Sequence, residues 1–337
     1  MNTVLAGNAE LLHGAPQQAL GTRDLLRRLA ANWPRRAQVK KDELDASVAD
    51  EAKDDFIPAL LPFRHHPLFV EAPAALKRKI LSCGWLAYNE KTVDIEGKII
   101  NPACLHIVHR DVPGLRDGAS REIASQTLVD EAYHILLVHR ANEITRQRRD
   151  LVSVPIPECT LVKQMRACQE TYREGWQRML IQLATAIVSE VFISDYLRLL
   201  SHETSIPSFN RLTVATHRQD EVAHGSIFRI LAKLLYADLS KNERAFFMSV
   251  LPRPVRWFAN LELDVWQTML EHIGFPGSAT LIRDCRDISE ENLSALDYSG
   301  VVSLAEELGM LETQMGVDSF SGEGLLAGAA GEPGSYS

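Results

Sequence analysis

Asp130-Glu131-Ala132-Tyr133-His134 and Asp220-Glu221-Val222-Ala223-His224 are two copies of one string, Asp-Glu-x-x-His. A helix advances by about 100° per residue, so a Glu and a His three positions apart share a face and can aim one carboxylate and one imidazole at a common point. That is a metal-ligand geometry, and it requires both strings to lie in helices. One such Glu-His pair arises easily by chance on a helix surface, where it gains only a small side-chain interaction. Two copies in two long apolar helices are much harder to reach by accident.

Working outward, apolar residues recur at three- and four-residue steps over Ala74 to Ile100, Ser120 to Asp150, Glu158 to His202 and Phe209 to Leu235. This periodicity predicts four long bundle helices. Prolines punctuate them: Asn101-Pro102 is expected to end the first, Val154-Pro155-Ile156-Pro157 to separate the second from the third, and Ser205-Ile206-Pro207-Ser208 to precede the fourth. The connection from Pro102 to Gly118 is long. A further helix is expected over Val255 to His272, with Gly274, Pro276 and Gly277 marking a turn. Alternating β-branched runs are few, so a sheet has little to be built from. The expected fold class is all-α, a four-helix bundle core with additional surrounding helices.

Each string is preceded by a helix that carries a candidate carboxylate, which completes the pattern of di-metal carboxylate bundles. Glu190 is the only acidic residue between Leu180 and Ile193, and a lone buried carboxylate is costly unless something such as a metal partners it. On the first helix Glu96 is favoured, with Glu90 and Asp94 as competitors that spacing does not eliminate. Asp130 and Asp220, each just before its Glu, can reach the ring N–H of a histidine on a neighbouring helix and so fix its tautomer. His217 lies four before Glu221 and seven before His224, so the fourth helix offers three ligands in one stripe. Carboxylate and imidazole together suit iron or manganese, and iron is the expectation; structural zinc more often recruits thiolates. Two metals about 3.5–4 Å apart can act on dioxygen between them.

The remaining composition narrows the class. Of 337 residues, 46% are hydrophobic and 24% charged, and the net charge is -8 with no basic tract, so nucleic acid is not an expected partner. No membrane partner is expected either: there is no signal-like N-terminus, and no apolar run approaches the ~18 residues of a membrane span. A cytoplasmic location follows. Cys83, Cys104, Cys159, Cys168 and Cys285 form no ligand or disulfide spacing and are expected to be reduced thiols. Residues 1–20 and 321–337, rich in small residues, are expected to be flexible ends around a single domain over 21–320. The region holding Trp33-Pro34-Arg35-Arg36 and Phe63-Arg64-His65-His66-Pro67 reads as loops and short helices laid over the outside.

At these residues the sequence resembles the diiron amine N-oxygenases typified by the p-aminobenzoate N-oxygenase of aureothin biosynthesis and the arylamine oxygenase of chloramphenicol biosynthesis. Tyr88-Asn89-Glu90 ahead of Glu96, the helix of Glu190 and the run Asp220 to Ile227 carry the likeness beyond the two strings. The resemblance implies a ferritin-like bundle with Glu96, Glu131, His134, Glu190, His217, Glu221 and His224 as ligands of two iron ions, His217 being the extra imidazole that sets the family apart. It implies O2 as co-substrate and oxidation of an amine to hydroxylamine, nitroso or nitro in natural-product biosynthesis. No flavin or iron–sulfur motif is visible, so an external electron donor, a reductase, is expected.

The amine is a small molecule, aromatic or an amino acid, or one tethered to a carrier protein. Lys91 is a weak candidate for holding a substrate carboxylate, with a solvated helix lysine as the plainer reading. A homodimer is a possible assembly. The rival readings are a diiron carbon hydroxylase or desaturase, against which His217 argues, and a non-catalytic ferritin-like iron-binding protein. Tyr133, between two candidate ligands, points off their face.

Overall fold

The order of the apolar helices in the chain sets the bundle. The computed structural model describes residues 11–41, 44, 52–286 and 297–326, and no strand occurs among them. Helix α1 (Leu11–Arg36) and the short α2 (Pro67–Val70) come before α3 (Ala74–Ile95), which passes through a π-helical turn at Glu96–Ile100 into α4 (Asn101–Val108). Next come α5 (Gly118–Arg149), α6 (Thr160–Glu170), α7 (Gly175–His202) and α8 (Ser208–Asp238). Six shorter helices follow among the described residues: α9 (Lys241–Val250), α10 (Arg253–Phe258), α11 (Leu263–His272), α12 (Ser278–Arg286), α13 (Ser299–Glu307) and α14 (Gln314–Gly322).

α3, α5, α7 and α8 make an all-α, ferritin-like four-helix bundle. α3 packs along α5 and α7 along α8, and the two pairs meet where α5 touches α8 and α4 touches α7. Its core runs continuously through fully buried side chains such as Trp85, Ile99 and Phe228; burying each such residue contributes about 1.5–3 kcal/mol. The start of α5 is fixed by Asp117, whose carboxylate accepts from the N–H groups of Ala119 and Ser120. At the α7–α8 crossing a Cβ on Gly225 would lie 3.0 Å from the Glu190 carbonyl oxygen, so only glycine lets the two helices approach this closely beside Glu190.

Several sequence expectations are corrected. Asn101-Pro102 does not end the first helix. Pro102 lacks an N–H for the Lys98 carbonyl; the chain widens into the π turn, where Asn101 N–H reaches back to Glu96 O. The Gln182 side-chain amide on α7 then donates to the carbonyls of Lys98 (3.1 Å) and Ile99 (2.8 Å). The stretch Glu158 to His202 is two helices. They are broken without proline, by side chains that take over the backbone bonds: Arg178 donates to the carbonyls of Tyr172 and Arg173, and Gln169 donates to Arg178 O. Val255 to His272 is likewise split, because Asn260 Oδ1 accepts from Glu262 N and Glu262 takes a left-handed φ of 54°.

The N-terminal region is more ordered than expected. α1 begins at Leu11, inside the stretch expected to be loose, and lies against α5 and α8. α14 continues through Gly322, and Leu325 is buried; residues 1–10 and 327–337 lie outside the described residues. α7 is long and apolar enough to cross a membrane by composition, contrary to the reading of the sequence, but 82% of its apolar window is buried in the protein. All five cysteines are free, and burial pushes the thiols of Cys83 and Cys159 up to about 12.

Candidate metal centre

The seven side chains singled out from the sequence converge in the middle of the bundle, all buried. They form two groups. Glu96, His134, His217 and Glu221 make one, and Glu131, Glu190, Glu221 and His224 make the other; within each, potential ligand atoms lie within 4.8 Å of one another. Glu221 belongs to both. His217 Nε2 is 2.9 Å from Glu96 and 3.2 Å from Glu221. His134 Nδ1 is 3.2 Å from Glu221, and His224 Nδ1 is 2.9 Å from Glu131.

The competitors of Glu96 are engaged elsewhere. Glu90 accepts from Asn142 Nδ2, and Asp94 holds Lys98 and the Cys159 N–H. Glu96 differs because it opens the π turn, a device that occurs often at functional sites. Asp130 and Asp220 cross over between strings. Asp130 Oδ2 lies 3.2 Å from His224 Nε2 and Asp220 Oδ2 3.2 Å from His134 Nε2, so each carboxylate holds a proton on the outer ring nitrogen and leaves Nδ1 facing the centre.

Whether this centre suits a metal is tested by its lone pairs. Glu96 Oε2, both oxygens of Glu131, Glu190 Oε2, Glu221 Oε2 and the Nδ1 atoms of His134 and His224 are buried without a hydrogen-bond partner. The Nδ1 atoms stand at ion-pair distance from carboxylates but are not aligned for hydrogen bonds, as expected of donors aimed at shared points. So many orphaned acceptors would be costly in an ordinary core. Ionisation tells the same story. Burial pushes Glu190 well up, reinforced by Glu221 and Glu131, and raises Glu96 to about 7 against the pull of His217. Burial disfavours charge on His134 and His224 too, yet the surrounding carboxylates override it and hold both rings well above the usual imidazole range. Without cations the centre gathers protons in their place, so the residues fit a metal site.

Sequence reasoning missed what stands behind the two aspartates. Trp33 Nε1 on α1 donates to both oxygens of Asp130 (2.8 and 3.0 Å), the Gln38 N–H donates to Asp220 (3.1 Å), and Arg36 lies 3.5 Å from Asp130 and 3.7 Å from Asp220. No local pattern in Trp33-Pro34-Arg35-Arg36 announces this, because the contacts depend on where α1 lands.

Almost no empty space, about 10 Å³, remains beside Glu96, Glu131, Glu190 and Glu221. A larger cavity of about 420 Å³ lies one helical turn away along α3 and α7, walled by Phe56, Tyr88, Tyr196, Phe258 and Trp266. Lys91 lines it and is not a solvated lysine. It is buried, donates to the Phe258 carbonyl (3.1 Å) and pairs with Glu262 at 3.1 Å, a charge that outweighs burial and keeps the ammonium protonated.

Comparison with known proteins extends the likeness over most of the chain. The 4-aminobenzoate N-oxygenase of Streptomyces thioluteus is 31% identical over 289 residues, a span covering 85% of this chain and 86% of that protein. Residues 20–309 match the family described as P-aminobenzoate N-oxygenase AurF. That span takes in α3, α5, α7 and α8 entire, and the chain therefore belongs to the P-aminobenzoate N-oxygenase AurF family and is an N-oxygenase, an oxygen-dependent oxidoreductase.

Proposed function

We propose that Glu96, Glu131, His134, Glu190, His217, Glu221 and His224 hold two iron ions, and that the enzyme, a cytoplasmic single-domain protein, oxidises a small arylamine in natural-product biosynthesis. The crowd of buried, unpartnered carboxylate oxygens and imidazole nitrogens carries this reading. Two divalent cations offset four carboxylates, and three neutral imidazoles add no charge, so the loaded centre is balanced where an unbalanced one would be costly. Bound there, the metal pair supplies the reductive activation of dioxygen that amine oxidation requires.

The chain's own residues do the rest. Asp130 and Asp220 keep a proton on Nε2 of His224 and His134, so that Nδ1 is the coordinating atom and each ring is held in place. The aromatic cavity supports an arylamine: Tyr88 and Tyr196 stack at 5.0 Å, and the flat walls of Phe258 and Trp266 exclude water and orient a ring. Glu96 follows in the π turn at the end of α3, the helix that carries Tyr88 and Lys91 into the cavity wall. Lys91 is the group on that wall suited to a substrate carboxylate, and Glu262 competes for it.

The test is metal analysis of the purified protein, then aerobic turnover with a chemical reductant on 4-aminobenzoate, aniline and free and carrier-bound amino acids, with 18O2 and mass spectrometry. About two irons per chain and one labelled oxygen on an arylamine nitrogen are expected. A product only from amino acids would move the substrate class, and oxygen added to carbon or absence of iron would refute the proposal.

A further inference from the structure

Trp33, Asp130 and His224 form a hydrogen-bonded chain from the outer helix α1 to the metal centre: indole N–H to carboxylate at 2.8 Å, carboxylate to imidazole at 3.2 Å. The matching arm on the other side runs from His134 through Asp220 but ends at a buried backbone N–H, that of Gln38. A plain donor thus suffices to anchor such an aspartate. The Asp130 arm instead ends in a half-buried aromatic ring, with Lys40 Nζ lying 4.8 Å over its face.

We propose that Trp33 is where electrons enter, delivered by an acidic one-electron carrier protein, of iron–sulfur or flavin type, that docks at the end of α1. This rests on the reading that the seven side chains hold a redox metal. A reducing protein cannot fit the 420 Å³ cavity and must act from outside without blocking it. That cavity opens along α3 and α7, whereas α1 covers α5 and α8, so the two approaches do not compete. At this end of α1, in a chain of net charge -8, Arg35, Lys40 and Lys41 are exposed cations, while Arg36 is turned inward against Asp130 and Asp220. Asp42, Glu43, Asp45, Asp50 and Glu51, next in sequence, lie outside the described residues. Among the described residues this end of α1 presents cations around Trp33, and an acidic carrier is steered to them.

The balance is R–NH2 + O2 + 2 e⁻ + 2 H⁺ → R–NHOH + H2O for the first oxidation. The carrier gives up two electrons one at a time, and the metals that the seven side chains would hold would pass them on to dioxygen. The indole, Asp130 and His224 only conduct and keep their own protons.

The experiment follows reduction of the iron-loaded, oxidised enzyme by anaerobic stopped-flow absorbance. One reductant is dithionite; the other is an acidic plant-type [2Fe–2S] ferredoxin kept reduced by NADPH and its reductase. Trp33→Phe keeps the ring but removes the N–H, and the pair Arg35→Glu with Lys41→Glu leaves the hydrogen-bonded chain intact. We expect Trp33→Phe, once loaded with iron, to be reduced by ferredoxin at least tenfold more slowly than wild type, with the dithionite rate unchanged. The charge-reversed protein should lose a similar factor and its salt dependence. Equal slowing with both reductants would mark Trp33 as structural and overturn the proposal, as would an unchanged ferredoxin rate. If Trp33→Phe fails to hold iron, the charge-reversed protein decides by the same criterion. A wild-type protein without iron would remove the metal reading and this one together; an iron-loaded enzyme indifferent to both changes removes this one alone.

Discussion

Replacing Asp220 with Asn tests the link between the orienting carboxylates and metal binding. Asp220 accepts from His134 Nε2 at 3.2 Å and from Gln38 N–H at 3.1 Å, with Arg36 at 3.7 Å, and it is fully buried. Asparagine keeps the shape, removes the charge, and must turn its NH2 toward either the His134 N–H or the Gln38 N–H. The lost bond is charge-assisted and worth about 1.5–3 kcal/mol. At about 1.4 kcal/mol per factor of ten this predicts iron bound roughly 10- to 100-fold more weakly, the range typical for partners of metal-bound histidines.

The assay is anaerobic competition for ferrous iron against a calibrated chelator, with circular dichroism on the metal-free protein to confirm the fold. Asp111→Asn, on an exposed residue, is the control. A second variant, Gln38→Pro, deletes the N–H without touching Asp220. Position 38 opens a short 3-10 turn and follows Ala37 at φ -60°, ψ 128°, a conformation that proline accepts in its predecessor. It should weaken iron by a smaller factor. If Asp220→Asn folds and binds iron within twofold of wild type, the reasoning that Asp220 sets the His134 donor is wrong.

Three other outcomes are expected. Glu190→Gln should bring iron down from two to about one per chain while stabilising the metal-free protein. Burial raises the Glu190 carboxyl in the folded state, so its penalty is absent below the unfolded value of about 4.3 and grows as pH rises toward the folded one; the gain in Tm must therefore increase with pH, and a gain that shrinks would sink the argument. Glu262→Gln should free Lys91 for a substrate carboxylate and lower KM for 4-aminobenzoate about two- to tenfold, equivalent to roughly 0.5–1.5 kcal/mol, with KM for aniline and kcat unchanged; an equal change for both amines would show a rearranged cavity instead. Pro102→Ala restores an N–H to the Lys98 carbonyl and favours a regular α-turn over the π turn that carries Glu96. Because an interior proline costs about 3 kcal/mol, thermal stability should rise while iron affinity falls, and unchanged iron affinity would refute the link between Pro102 and Glu96.

How much could be read from the sequence follows from the range of each interaction. The stripe His217, Glu221, His224 and the two strings are local: they depend only on 3.6 residues per turn, which the apolar pattern of α5 and α8 already announces. Glu190 was legible because it interrupts an apolar run. Glu96 was ambiguous because a π turn shifts the face of the helix by part of a turn, and the cause of that turn is split between Pro102 in the sequence and Gln182 on another helix. Proline was misread as a stop because its missing bond was assumed to go unanswered. The break before α7 went unseen for the converse reason, since Gln169 and Arg178 end a helix without any proline. Trp33 and Glu262 were out of reach altogether: each meets its partner across a long stretch of chain, and nothing near either residue records the encounter.

The two donor groups are unequal, and the inequality has a structural source. One holds two imidazoles and two carboxylates, the other a single imidazole and three carboxylates, with Glu221 common to both. Helix α8 creates this difference by itself, because His217 adds a third donor to a stripe that on α5 has only Glu131 and His134. Burial would raise the Glu221 carboxyl, but His224, His134 and His217 together hold it well below the usual range. The shared ligand is thus held firmly ionised before any metal arrives, while Glu96 and Glu190 are raised. A first cation meets a charged Glu221 flanked by imidazoles, and its own charge then favours ionisation of the remaining carboxylates. Loading should accordingly be cooperative, with α8 as the helix whose register matters most.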